Sequence, residues 1–181
     1  MIIFILIVLF TICKPVLSQD IVAGQSAQLD NIIFDSENII LKDKQYDYLL
    51  VKLSIKSVLE KYHSPLISET ESFTNSCKKY NLNCFLLPSI AGLESTFGKF
   101  LIDGSYNPFG WGGGRIYFNS WSDGIDTVAK GLKENYIDKG ATNLYDIGSI
   151  YSESPTWTQR VGYFISEFEK VYADNQLYLL Y

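Results

Sequence analysis

Glu94 sits in the stretch GLESTFGKF, residues 92–100, where Leu86, Ile90, Leu93 and Phe97 recur at helical spacing and form an apolar stripe. It lies four residues after Ile90 and three before Phe97, one step round from that stripe. A helix has no structural need for a carboxylate at the rim of its buried face. A site that passes a proton to a reacting oxygen does, because a carboxyl group can act there as general acid or base. The residues that follow are of a different kind. Asn107, Phe109, Gly110 and Trp111 come in quick order in SYNPFGWGGGRIYFNSW, which ends at Trp121, and no Asp or Glu occurs between Gly104 and Ser122. The nearest acids are Asp103 before this stretch and Asp123 and Asp126 after it, and the last two suit the start of a helix.

Other reactive side chains lead to less. His63 is the only histidine and stands beside a chain break at HSPL, where Pro65 disfavours helix at Ser64. Gly112, Gly113 and Gly114 lack the Lys-Ser/Thr and following helix of a phosphate loop. They permit unusual backbone angles and close approach of a ligand, or simply form a hairpin tip. Of three cysteines, Cys77 and Cys84 bracket KKYNLN, and they read either as a disulfide or as two buried thiols. Without clustered histidines they do not make a zinc site, and neither metal nor cofactor is expected.

The elements that must hold these residues are mostly helical. A broad apolar face begins near Tyr46 and runs through Val51, Ile55 and Val58 to Tyr62. A second helix is expected over about 67–80. A third starts near Phe85, with Pro88 in its first turn and Gly98 as its stop. Residues 103–121 predict a turn-rich β-hairpin, from Asn-Pro, three glycines and the alternating RIYF. Ser122 reads as the cap of a helix with Ile125, Val128, Ala129, Leu132 and Tyr136 on one face. A short helix over 142–151 and a closing one over 158–172 complete the chain.

The 181 residues suffice for one core, and 47 % hydrophobic with 15 % aromatic residues is a folding composition. The net charge of −5 without a basic run argues against nucleic acid as partner. Residues 1–18 contain an apolar run of signal-sequence length, with Val16 and Ser18 at the −3 and −1 positions of a cleavage site. No Lys or Arg precedes the run, so an uncleaved membrane anchor is the alternative. Either one predicts a protein outside the cytoplasm. Residues 19–45 read as an N-terminal extension with two short strands, NIIFD and NIILKD, and 46–181 as the functional domain.

Three blocks in order, LLPSIAGLESTFGK, SYNPFGWG and FNSWSDGIDTVAKGL, resemble the lysozyme-like superfamily that cleaves peptidoglycan. Within it they are most similar to the endo-β-N-acetylglucosaminidase family of bacterial autolysins, with lytic transglycosylases and goose-type lysozymes as relatives. The resemblance covers residues 60–172. It implies a mainly α fold of the α+β lysozyme-like kind, in which a small β-hairpin lobe flanks an active-site groove. It implies Glu94 as general acid, in a setting of low dielectric between Ile90 and Phe97 and near a helix C-terminus. Ser95, Asn107, Phe109 and Gly110 match the substrate-binding motif. Trp111 and Trp121, with Trp157, are flat faces on which sugar rings stack.

Tyr151, in SIYSESPTW, matches a late tyrosine that faces the acid and is the catalytic hydroxyl assisting it, or else a core residue at helical spacing from Ile147; Tyr136 is the alternative source of that hydroxyl and otherwise a substrate-binding group. The resemblance further implies a monomeric glycosidase of the bacterial cell envelope, secreted or anchored, acting on peptidoglycan glycan strands. The missing lobe carboxylate favours a one-acid scheme with assistance from the substrate. It also keeps two other readings in play, a lytic transglycosylase and a glycan-binding module without turnover.

Overall fold

The computed structural model describes residues 47–178, and the expected leader over 1–18 and the strands of the 19–45 extension lie outside them. Six α-helices are present in this part: α1 Tyr48–Lys61, α2 Thr70–Tyr80, α3 Leu86–Ser95, α4 Trp121–Asn135, α5 Leu144–Tyr151 and α6 Trp157–Tyr178. Short 3₁₀ turns at Pro65–Glu69 and Ile137–Lys139 link them. Helix α6 packs on α1, α3 and α5, while α2 packs on α1 and α4. Among the described residues no helix is long and apolar enough to cross a membrane.

Helix α3 is the innermost. Its first seven residues, Leu86 to Gly92, are all buried, as is Ser95. Aromatic rings close over it: Phe85 stacks on Phe168 with centroids 5.6 Å apart, and Phe97 packs on Tyr62 at 4.6 Å and Phe164 at 5.2 Å. The stop at Gly98 is earlier than expected. Thr96 and Phe97 already take the left-handed conformation, at φ 51° and 57°, and the Phe97 N–H bonds back to the Ala91 carbonyl at 2.9 Å. Such angles cost a β-branched residue free energy, and the packing of Phe97 offsets them. A Cβ on Gly92 would stand 2.6 Å from Phe97 Cζ, so the glycine makes room for the ring to fold back over the helix. The reversed chain buries Phe97 and leaves Glu94 exposed at the end of α3.

Cys77 and Cys84 are joined as a disulfide, with Cα atoms 4.8 Å apart, which clips the end of α2 to the approach to α3. The left-handed cap Asn81 turns the chain between them. Helix α4 begins at Trp121, capped by Ser120 rather than Ser122. The Ser120 hydroxyl accepts from the Asp123 N–H at 3.1 Å, and Asp123 in return accepts from the Asn119 N–H at 2.9 Å. The arrangement resembles a capping box, with Asp123 bonded to the residue before the cap and not to Ser120 itself, and lies two residues before the expected cap. Helix α6 extends to Tyr178, six residues past the expected end.

Residues 103–121 do not form the expected β-hairpin. Among the described residues no strand is present, and this segment is a chain of turns. One side chain holds it together. The Asn107 amide donates to the carbonyls of Trp111 at 2.9 Å and Ile116 at 3.0 Å, and its oxygen accepts from the Trp111 N–H at 3.0 Å. Gly114 N–H bonds the Gly110 carbonyl at 2.9 Å, and Phe118 N–H bonds the Ser105 carbonyl at 2.8 Å. The buried amide does the work that a strand ladder would do.

Candidate active site

Glu94 stands where α3, the 103–121 loop and the start of α6 meet. Its Oε1 accepts the indole N–H of Trp157 at 2.8 Å. Its Oε2 points toward Gly110, where a Cβ would stand 3.2 Å away. Gly110 itself has φ 62°, a conformation that favours glycine. Ile90 and Phe97 are fully buried in the core. The groups that meet the carboxylate oxygens are an indole N–H and a bare stretch of backbone.

A cavity of about 300 Å³ opens next to this carboxylate, lined by Gly110, Trp111, Gly112, Gly113, Tyr136 and Tyr151. Its walls are rings. Tyr151 stacks on Trp157 with centroids 5.0 Å apart and packs on Trp111 at 5.7 Å and Tyr136 at 6.2 Å. Trp111 rests on α4, where a Cβ on Gly131 would stand 2.6 Å from Trp111 Cζ2. The Tyr151 hydroxyl donates to the Phe109 carbonyl at 2.6 Å. Burial, and after it the charge of Glu94 and the neighbouring Tyr136, hold the Tyr151 phenol well above its ordinary pKa, so it stays protonated. The cavity thus offers flat apolar faces and one carboxylate at its edge, which suits a neutral ring-shaped ligand with a bond to be protonated.

The expected site residues separate into two groups. Gly110, Trp111, Tyr136 and Tyr151 come together around the cavity beside Glu94. Ser95, Asn107, Phe109 and Trp121 do not line it. Ser95 is buried; its hydroxyl accepts from the Gly98 N–H at 2.8 Å and lies 2.8 Å from the Pro108 carbonyl, tying α3 to the loop. Asn107 is 3 % exposed with its amide fully engaged, and Phe109 is a core residue packed edge-on against Phe73. Trp121 packs edge-on against Tyr106 at 5.1 Å. Ser95, Asn107 and Phe109 are buried and carry the fold of the site, while Trp121 is part-buried outside the cavity lining.

No second carboxylate stands beside Glu94 among the contacts of the described residues. Asp103 is exposed in a turn, Asp123 is spent on the start of α4, and Asp126 is bound by Lys79 at 2.9 Å and Tyr80 at 3.0 Å. No group of His, Cys, Asp and Glu among the described residues could hold a metal ion. Trp157 is the partner that spacing does not reveal. It reads as one flat face among three, yet it is the direct neighbour of Glu94 across 63 positions of sequence. Its only signal is a tryptophan at the first turn of a helix, six residues after Tyr151.

No protein-family model matches the chain, and no curated protein matches its sequence. Solved structures do match its fold. Autolysin E of S. aureus in complex with the muropeptide NAM-L-Ala-D-iGlu is similar over 76 % of this chain and 72 % of its own, at 19 % identity and a TM-score of 0.61. A catalytic glutamate-to-alanine mutant of that autolysin in complex with the disaccharide NAG-NAM matches equally well. At this identity the likeness concerns the backbone: the chain has the lysozyme-like fold of an autolysin, as its three motif blocks predict.

Proposed function

We propose that the protein cleaves the glycan strands of peptidoglycan with Glu94 as general acid. One observation carries the reading: an exposed carboxylate, held by a single indole N–H, stands at the edge of a ring-walled cavity. The likeness to an autolysin whose catalytic mutant has lost a glutamate and binds a NAG-NAM disaccharide supports the same assignment. The proton passes to the glycosidic oxygen, the bond from the anomeric carbon breaks, and its electron pair leaves with that oxygen. With no carboxylate partner near among the described residues, the anomeric carbon is attacked by the substrate itself. Attack by the 2-acetamido oxygen followed by water gives hydrolysis of the endo-β-N-acetylglucosaminidase or muramidase type. Attack by the 6-hydroxyl gives the anhydro product of a lytic transglycosylase. An extracytoplasmic site of action, by a signal or an anchor over residues 1–18, belongs to the same proposal, as does action as a monomer.

Loss of turbidity of purified cell wall tests the activity, and mass spectrometry of the soluble products names it. A reducing GlcNAc end means glucosaminidase, a reducing MurNAc end means muramidase, and 1,6-anhydroMurNAc means transglycosylase. Glu94→Gln keeps shape and polarity but has no proton to give, so it should lower the rate by about 10²–10⁴-fold. Wall binding without release of any fragment by the wild type would make the chain a glycan-binding module. More than about a tenth of wild-type activity in Glu94→Gln would remove this residue from its role.

A further inference from the structure

Trp157 is 2 % exposed and packed closely against helix α5. Tyr151 stacks on it at an interplanar angle of 28°, and a Cβ on Gly148 would stand 2.9 Å from Trp157 Cε3, so helix α5 abuts the indole closely. Tyr151 is itself tied to the Phe109 carbonyl. The indole therefore has no freedom to swing away from Glu94. An indole N–H only donates, so whatever it bonds must remain an acceptor in every protonation state. That atom is Glu94 Oε1. The other oxygen, Oε2, stands toward the bare backbone of Gly110, where no side chain intervenes.

From this geometry we infer that Trp157 is a positioning residue that decides which oxygen of Glu94 carries the catalytic proton. The inference rests on the glycan-cleaving reading above and adds the direction of proton delivery. In the acid form Oε1 is the carbonyl oxygen, accepting the indole N–H, and the hydroxyl is at Oε2. In the reaction the Oε2–H bond breaks, the proton joins the leaving oxygen, and the electron pair of the broken glycosidic bond stays on that oxygen. Glu94 is left as a carboxylate with Oε1 still in the same hydrogen bond, so the side chain needs no rotation during the step. Without the indole N–H the carboxyl group rotates freely, and both oxygens compete for the proton.

The test removes the N–H while keeping the ring. Site-specific replacement of Trp157 by 3-benzothienylalanine puts sulfur where the N–H was, and Trp157→Phe serves as a second variant. Each is assayed on a soluble wall oligosaccharide and on a matched glycoside with a dinitrophenyl leaving group, which departs without being protonated. A misplaced acid should cost about ten- to a hundredfold in kcat on the oligosaccharide. KM should stay near the wild-type value, and the dinitrophenyl glycoside should be cleaved at close to the wild-type rate. Equal losses on both substrates would mean a structural role, and wild-type rates on both would mean none; either overturns the inference. Glu94→Gln separates the two levels. If it retains activity, Glu94 is not the general acid and the reading on which the inference rests fails as well; if it is inactive while both Trp157 variants are unimpaired, only the inference fails.

Discussion

The Tyr151 hydroxyl donates to the carbonyl of Phe109, 42 residues earlier in the chain, at 2.6 Å, and so ties the end of α5 to the residue that precedes Gly110. The bond uses the phenol's single proton. Tyr151 therefore holds the backbone that faces Glu94 Oε2 and offers its ring to the cavity.

Tyr151→Phe keeps the ring and removes the bond. The Phe109 carbonyl then loses a partner in a part-buried place, which costs about 1–3 kcal/mol. Turnover on cell wall should fall by up to about a hundredfold, the cost of a small misplacement of the groups beside Glu94, and by less than in Glu94→Gln. Asp103→Asn, in an exposed turn, should do far less. Wall clearance measured beside thermal melting checks both. Wild-type activity and melting in Tyr151→Phe would show that the bond holds nothing of consequence.

Asn107→Ala tests the loop. The substitution deletes one acceptor and two donors from a buried position, leaving the Trp111 N–H and the Trp111 and Ile116 carbonyls without this partner. Unsatisfied buried groups of this kind cost about 1–3 kcal/mol each. A drop of several kcal/mol in denaturant stability is expected, with loss of activity following from the displaced Trp111. An Asn107→Ala protein of wild-type stability but impaired KM would make Asn107 a substrate contact after all.

High pH should unfold the protein through its tyrosines. Burial raises the Tyr151 phenol well above its usual value and raises that of Tyr136; burial and the hydrogen bond to Glu167 do the same for Tyr62. The folded state thus keeps protons that the unfolded chain releases above about pH 10. A raised folded pKa means stability that is complete below the unfolded value and lost as pH rises toward the folded one. The slope is about 1.4 kcal/mol per pH unit for each such tyrosine. Denaturation followed from pH 8 to pH 12 should show a plateau and then a steep fall. Stability that stays level through this range would contradict this.

The helices were legible because their evidence is local. The stripe Leu86, Ile90, Leu93, Phe97 and the face Ile125, Val128, Ala129, Leu132 each repeat a period that packing alone imposes. The 103–121 loop was not legible, since Arg115 to Phe118 alternate like a strand while a single amide, Asn107, supplies the hydrogen bonds instead. Glu94 could be read as an acid out of place, but its partner could not. A bond between residues 94 and 157 depends on how α3 and α6 cross, and neither residue's neighbours carry that information. Ser95 and Asn107 pose a different problem. Polar residues in a motif look alike whether they meet a ligand or a backbone carbonyl, and here both meet carbonyls.

The disulfide gives the last prediction. Cys77 and Cys84 close a loop with a sequence separation of 7, between the end of α2 and the helix that carries Glu94. In the chain-entropy model so short a loop contributes about 2–3 kcal/mol. Replacing both cysteines by alanine should lower denaturant stability by that amount. Activity at room temperature should survive, because Phe85, Leu86 and Ile90 remain fully buried and keep α3 in register. Mass spectrometry of protein from an oxidising compartment, alkylated without reductant, should find neither thiol modified. Two alkylated thiols in fully active protein would mean that packing alone holds α3. A loss of activity in the double alanine variant without loss of stability would mean that the bridge places Glu94 directly, through the start of its helix.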